Sequence, residues 1–123
     1  VNNTSTISAL DWLPTLCGIA GVNINPNEFH GEDILDIWMG NDRSRVSNQY
    51  WERSMKQVDD EGEWRLYVNE KRPGVFKITG LYNLTADLYE TKDLQKNPLY
   101  ADKKAELLAD WQAWAATLPV TLP

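Results

Sequence analysis

Asp59-Asp60-Glu61-Gly62-Glu63-Trp64-Arg65-Leu66-Tyr67-Val68 is the stretch whose reading decides the fold. The acidic run ending in Gly62 reads as a hairpin turn, because glycine reaches the positive φ that tight turns require. Beyond it Trp64, Leu66 and Val68 alternate with Arg65, Tyr67 and Asn69, the period of a strand with one covered face. Working outward, Tyr50-Trp51-Glu52 and Met55-Lys56-Gln57-Val58 are short aromatic or β-branched runs upstream. Downstream, Lys71-Arg72-Pro73-Gly74 reads as a second turn, followed by Val75-Phe76-Lys77-Ile78 and Leu81-Tyr82-Asn83-Leu84. About four antiparallel strands follow. From Asn97-Pro98 to about Thr117 the apolar residues Leu107, Leu108, Trp111, Trp114, Ala115 and Leu118 fall on one helical stripe. Pro119 and Pro123 end that helix and leave a short extended tail. The expected fold class is α+β: a small antiparallel sheet of about four strands with a C-terminal helix packed on it.

The opening segment, Ser8 to Val22, reads as a helix. Leu10, Leu13, Leu16, Cys17 and Ala20 recur at three and four, which predicts a buried apolar stripe, and Gly21 is placed to cap its C-terminal end. Asp11 ahead of Pro14 is expected to cap its start. Such a face needs a core, and little chain precedes it, so the expectation is a piece of a larger protein. Residues 23–46 are rich in Asn, Pro, Gly, Asp and Arg and carry one apolar cluster, Ile34 to Met39, which predicts a surface connector with one helical turn. The expected division is therefore 1–46 and 47–123.

A hydrophobic content of 42% with six Trp and five Tyr excludes general disorder. No apolar run approaches the roughly 18 residues of a membrane-spanning helix, so no membrane partner is expected. A formal charge of −6 argues against nucleic acid, whose phosphates require a basic face. The single cysteine excludes an internal disulfide and a Cys-based zinc site.

No nucleophile elbow, phosphate loop or metal-ligand spacing is present, so neither catalytic nor metal-binding residues are assigned. Cys17 lies in the apolar stripe of the first helix and reads as a structural thiol. His30, the one histidine, sits in the polar connector and reads as a surface residue. Asp59, Asp60, Glu61 and Glu63 lack the alternating ligands of a calcium loop and read as a solvated hairpin tip. Trp12, Trp64, Trp111 and Trp114 have core explanations. Trp51 does not, and with Glu52 and Arg53 it forms an aromatic, acidic and basic trio. That trio reads either as the wall of a substrate pocket or as a strand edge with a solvated salt pair.

Several segments, in order, resemble the sulfatase family. Asp11-Trp12-Leu13-Pro14-Thr15-Leu16 with Ala20-Gly21 is similar to the family's Asp-x-x-Pro-Thr-Leu helix and its Ala-Gly end. His30-Gly31-Glu32-Asp33-Ile34-Leu35 resembles its Gly-x-x-Leu connector, and Trp51-Glu52 followed by Gly62-Glu63-Trp64-Arg65-Leu66 resembles its Gly-Asp-Trp-Lys-Leu hairpin. Leu81-Tyr82-Asn83-Leu84, Asp87 and Glu90 to Leu94 are similar to the run before the family's final helix. The resemblance implies the C-terminal part of an arylsulfatase-like enzyme: the last helix of the α/β catalytic domain with a connector, then the C-terminal subdomain. Family members hydrolyse sulfate esters with a formylglycine, made from the Cys or Ser of a Cys/Ser-x-Pro/Ala-x-Arg motif, and a calcium ion. Cys17 is followed by Gly18-Ile19-Ala20-Gly21 and departs from that motif, so no cofactor is expected in this chain. Its expected partners are the catalytic domain of the parent protein and, for that parent, a sulfated small molecule or glycan. Trp51, Glu52 and Arg53 are the candidates for a wall of the substrate cleft. Arg53 stands where some relatives carry His, and Asp87 lacks the family's following Pro.

Two rival readings come from other classes. One is a free-standing carbohydrate-binding module built on Trp51 and nearby aromatics. The other is a structural unit that forms a homodimer through the exposed face of the first helix. Localisation is open, since the resembled family is variously periplasmic, secreted or lysosomal.

Overall fold

The computed structural model describes residues 5–72 and 74–118, the side chain of Asn27 excepted. It has a small α+β fold with a four-stranded antiparallel sheet, a C-terminal helix and an N-terminal helix. The chain divides into two compact units, Val1–Ser47 and Asn48–Pro123.

In the second unit, β1 (Gln49–Trp51), β2 (Ser54–Asp59), β3 (Gly62–Arg72) and β4 (Val75–Asn83) lie in sequence order. β1 joins β2, and β2 joins β3, through tight two-residue turns. Gly62, at φ +122°, makes the turn after the acidic run possible. The fourth and fifth predicted runs are one strand here. The chain continues through Thr79 and Gly80 by a register shift, with Tyr67 opposite Gly80 and Val68 opposite Ile78.

Trp64, Leu66 and Val68 face the core, as their alternation predicts, and meet Met55 and Leu81. The helix α3 (Ala101–Ala115) follows a single 3-10 turn at Pro98–Tyr100, which Asn97 caps by accepting the Leu99 amide. It lays Leu107 and Trp111 on this face, with Leu108, Trp114 and Ala115 beside them. The indole N–H of Trp111 donates to the Trp51 carbonyl at 3.0 Å, and Tyr50 stacks on Trp114 at 5.2 Å. Leu118, the last member of the predicted stripe, is instead exposed beyond the end of the helix. The predicted extended tail lies outside the described residues.

The first unit corrects the reading of its helix. α1 (Trp12–Ile19) follows a 3-10 turn at Ala9–Asp11, and Gly21 at φ +69° follows it, as its placement predicts. The predicted stripe, however, faces outward: Leu10, Leu13 and Leu16 are 55%, 52% and 49% exposed. Trp12, expected in a core, is exposed too and meets the similarly exposed Trp38 edge to face at 5.8 Å. The buried side chains here, among the described residues, are Asp11, Pro14, Thr15, Ile34 and Arg45. Helical period puts positions 11, 14, 15 and 18 on one side and 12, 13, 16 and 19 on the other, so the buried side is the mainly polar one.

Ser8, not Asp11, is the cap. Its hydroxyl accepts the Leu10 amide at 3.3 Å, while Asp11 reaches back to accept the Ser8 amide at 2.6 Å. The connector then runs along α1. Glu32 N–H donates to Asp11 Oδ1 at 3.0 Å, and Ile34 N–H donates to Thr15 Oγ1 at 3.0 Å. The spacings match: four residues of helix rise about 6.0 Å, and two residues of extended chain span about 6.6 Å. Gly31 allows the approach, since a Cβ there would stand 2.0 Å from the Leu10 carbonyl oxygen. The predicted single helical turn is α2 (Leu35–Trp38), and Ile34 just before it is buried rather than on the surface.

Candidate functional site

Trp51, Glu52 and Arg53 fall at the end of β1 and in the two-residue turn to β2. The turn is anchored by backbone, with Val68 N–H donating to the Arg53 carbonyl at 2.8 Å. The Glu52 and Arg53 side chains point to solvent and stand 4.0 Å apart, a separation at which an exposed pair contributes little. The three do not enclose a pocket by themselves. Trp51 parts from its neighbours and joins a different group.

That group lies on the face of the sheet opposite α3. The strand pairing places Gln49, Lys56, Arg65 and Tyr82 in one row across the sheet, and Trp51, Ser54, Tyr67 and Gly80 in the next. Arg65 leans between the rows, its guanidinium carbon 5.3 Å from the Trp51 ring centre and 5.4 Å from that of Tyr67. Glu90 completes the group from the loop after β4: it stands 3.3 Å from Arg65 Nη1 and accepts the Tyr67 hydroxyl at 2.8 Å. Its backbone is held at φ +55°, a left-handed conformation that non-glycine residues rarely adopt. Asp87 shapes that turn, its carboxylate accepting Thr91 Oγ1 and the Lys92 amide. Burial raises the affinity of the Tyr67 hydroxyl for its proton, and the bond to Glu90 adds to this. Tyr82 lies edge-on to Tyr67 at 5.9 Å and across Gly80, where a Cβ would meet its ring at 2.7 Å. The Nε of Arg65 is buried without a hydrogen-bond partner.

Sequence reasoning reached half of this group. Period-two alternation puts Arg65 and Tyr67 together on the face away from the core. Nothing in the spacing announces Glu90, because a loop 25 residues downstream of Arg65 brings it there.

The other candidates sit elsewhere. Cys17 is a free thiol, partly exposed in α1 rather than buried. His30 is exposed in the connector. The hairpin tip is tied down: Lys103 of α3, which also pairs with Glu106 on its own helix at 2.9 Å, reaches Asp59 at 2.7 Å and Glu61 at 3.4 Å. Among the described residues no three His, Cys, Asp or Glu side chains come together as metal ligands. No helix among them is long and apolar enough to cross a membrane. The most deeply buried ion pair among the described residues is in the first unit, where Arg45 grips both oxygens of Asp11 at 2.6 and 2.7 Å, with side chains 1% and 0% exposed.

No family model matches the chain, and no curated protein matches it.

Proposed function

We propose that this chain is the C-terminal region of a sulfate-ester hydrolase of the sulfatase kind, non-catalytic alone, which seats α1 against the catalytic α/β domain of its parent. The observation that carries the reading is the inverted helix. Its polar residues Asp11 and Thr15 are spent inside the unit, while Leu10, Trp12, Leu13, Leu16 and Ile19 are about half exposed. No charged residue occurs from Trp12 to Asn27. Together these side chains present on the order of 600 Å² of apolar surface, as large as the biggest patch of an ordinary monomer. A surface of that kind is built for contact with another apolar surface, and the resemblance of Asp11 to Leu16 and of the hairpin to sulfatase segments supports reading that partner as a sulfatase catalytic domain. Trp51, Glu52 and Arg53 would then stand at the rim of the parent's cleft, where a sulfated small molecule or glycan binds.

Calcium and a formylglycine belong to this reading, but the residues present do not fit either. Cys17 sits in mid-helix ahead of Gly18, and among the described residues no three carboxylates are grouped as metal ligands. Both groups are therefore assigned to the parent's catalytic domain, and no step is derived through them.

Two measurements test the reading. The purified chain is expected to leave 4-nitrophenyl sulfate intact with or without added calcium, and turnover would overturn it. Leu13→Glu is expected to change the melting of the isolated chain little, because the side chain is already half exposed. In the protein encoded with its upstream sequence the same change should abolish soluble, active enzyme. An unaffected parent would refute docking through this face.

A further inference from the structure

We propose that two copies of the free chain pair through the outward face of α1, as a two-fold dimer whose helices cross at Leu13 and Leu16. This pairing is independent of the sulfatase reading. A catalytic domain seated on the same face would exclude the second copy, and without that domain the face is open to it.

The area is what a dimer needs. Leu10, Trp12, Leu13, Leu16 and Ile19 are each about half exposed, and Trp38 extends the surface through its edge-to-face contact with Trp12. These six side chains present on the order of 700 Å² per copy, so covering the face on both copies buries about 1,400 Å², inside the range of specific, stable interfaces. Helical period puts Leu13 and Leu16 at the centre of the face, with Trp12 and Ile19 on one flank and Leu10 on the other. Trp12 and Trp38 already rest on each other at 5.8 Å, and a large side chain held before contact loses less freedom on docking.

The chemistry suits a like partner. In a two-fold contact a residue near the axis meets its own copy, so any charge there would face the same charge. From Trp12 to Asn27 the sequence has no charged residue, the longest such stretch of the chain, and Asp11 just before it is turned inward onto Arg45. Two chains of charge −6 repel over most of their surface, and here they do not. Leu10, Leu13, Leu16 and Ile19 have no polar side-chain atom to strip of water. The polar side chains of the opposite side are already bonded within the unit: Thr15 donates to the Asp11 carbonyl at 2.6 Å and accepts the Ile34 amide at 3.0 Å.

Sedimentation equilibrium of the 123-residue chain, from about 1 to about 500 μM, should show monomer and dimer alone, with a micromolar dissociation constant. Raising NaCl from about 20 to about 300 mM should tighten the dimer, because salt screens the repulsion between the two negative chains. Leu16→Glu sets two carboxylates at the axis and should weaken pairing about tenfold or more, while Leu16→Gln, without the charge, should weaken it about threefold or more. Both replace a half-exposed side chain, and amide protection at Ile34 verifies that the unit still folds. Leu99→Glu changes an 84% exposed leucine of the second unit and should leave the dimer intact. Monomer at every concentration overturns the proposal, and so does growth past the dimer. Unchanged affinity in a folded Leu16→Glu or Leu16→Gln protein, loss of the dimer in Leu99→Glu, or weakening by salt each assigns any association to another surface and overturns it as well.

Discussion

Replacing Arg45 by Met is the sharpest perturbation of the first unit. The change keeps the aliphatic length of the side chain and removes the two donors that meet Asp11 at 2.6 and 2.7 Å. Asp11 is then left as a carboxylate without solvent access, holding only the backbone amides of Ser8 and Glu32. Breaking a buried pair from one side costs about 3–5 kcal/mol, because the surviving charge keeps its desolvation penalty without its partner. Net stability runs at roughly 0.05–0.15 kcal/mol per residue, so a unit of this size holds only about 2–7 kcal/mol in all. The expected result is loss of the fold around α1. Amide hydrogen exchange reads it directly, with protection lost at Thr15 to Ile19 and at Ile34 while the amides of β3 and β4 keep theirs. The double variant Asp11→Leu/Arg45→Met separates charge from geometry. It removes the stranded carboxylate but orphans the Ser8 and Glu32 amides, so it should recover part of the loss and not all of it. Wild-type protection of the α1 amides in Arg45→Met would refute the claim that this pair holds the unit together.

The same pair gives a pH dependence. Burial alone pushes the Asp11 carboxyl up, but the bonds from Arg45 and from the Glu32 and Ser8 amides outweigh it and hold it below the ordinary carboxylate value of 3.8. Its contribution is therefore present above that value and lost as pH falls through the depressed one, so an acid melt should release α1 only below about pH 4. Gly31→Ala should be among the most damaging single substitutions, since the added carbon meets the Leu10 carbonyl oxygen at 2.0 Å. A thermal melt or exchange at Ile34 would show it, and a loss under about 1 kcal/mol would refute the backbone contact. Thr15→Val keeps shape and strands the Ile34 amide, which the hydroxyl now accepts at 3.0 Å. About 1–3 kcal/mol is expected from denaturant titration.

The contrast between the two helices explains what the sequence made legible and what it did not. In α3 the apolar stripe meets a sheet in the same chain, so periodicity identifies both the helix and its inward face. Trp111 and Leu107 are where the pattern puts them. In α1 the pattern identified the helix equally well but not the side that packs within the unit. Periodicity reports which residues share a side, and orientation is then chosen by what the chain has to offer that side. The 31–34 segment offers backbone amides at extended spacing, and only Asp11 and Thr15 can accept them. Arg45 comes from 34 residues away to neutralise the carboxylate, a pairing that no local pattern encodes. Arg65 follows the same logic: its strand alternation was readable, whereas Glu90 arrives from a loop. Positions set by local period are thus visible in sequence, and positions set by a distant polar partner are not. In this chain both candidate surfaces, the outward face of α1 and the Arg65 face of the sheet, depend on the second kind. Each is held by a buried or half-buried arginine whose carboxylate partner is remote in sequence. Arg45→Met should accordingly cost α1 its amide protection and leave that of β3 and β4 in place, a separation that one global effect on stability would not produce.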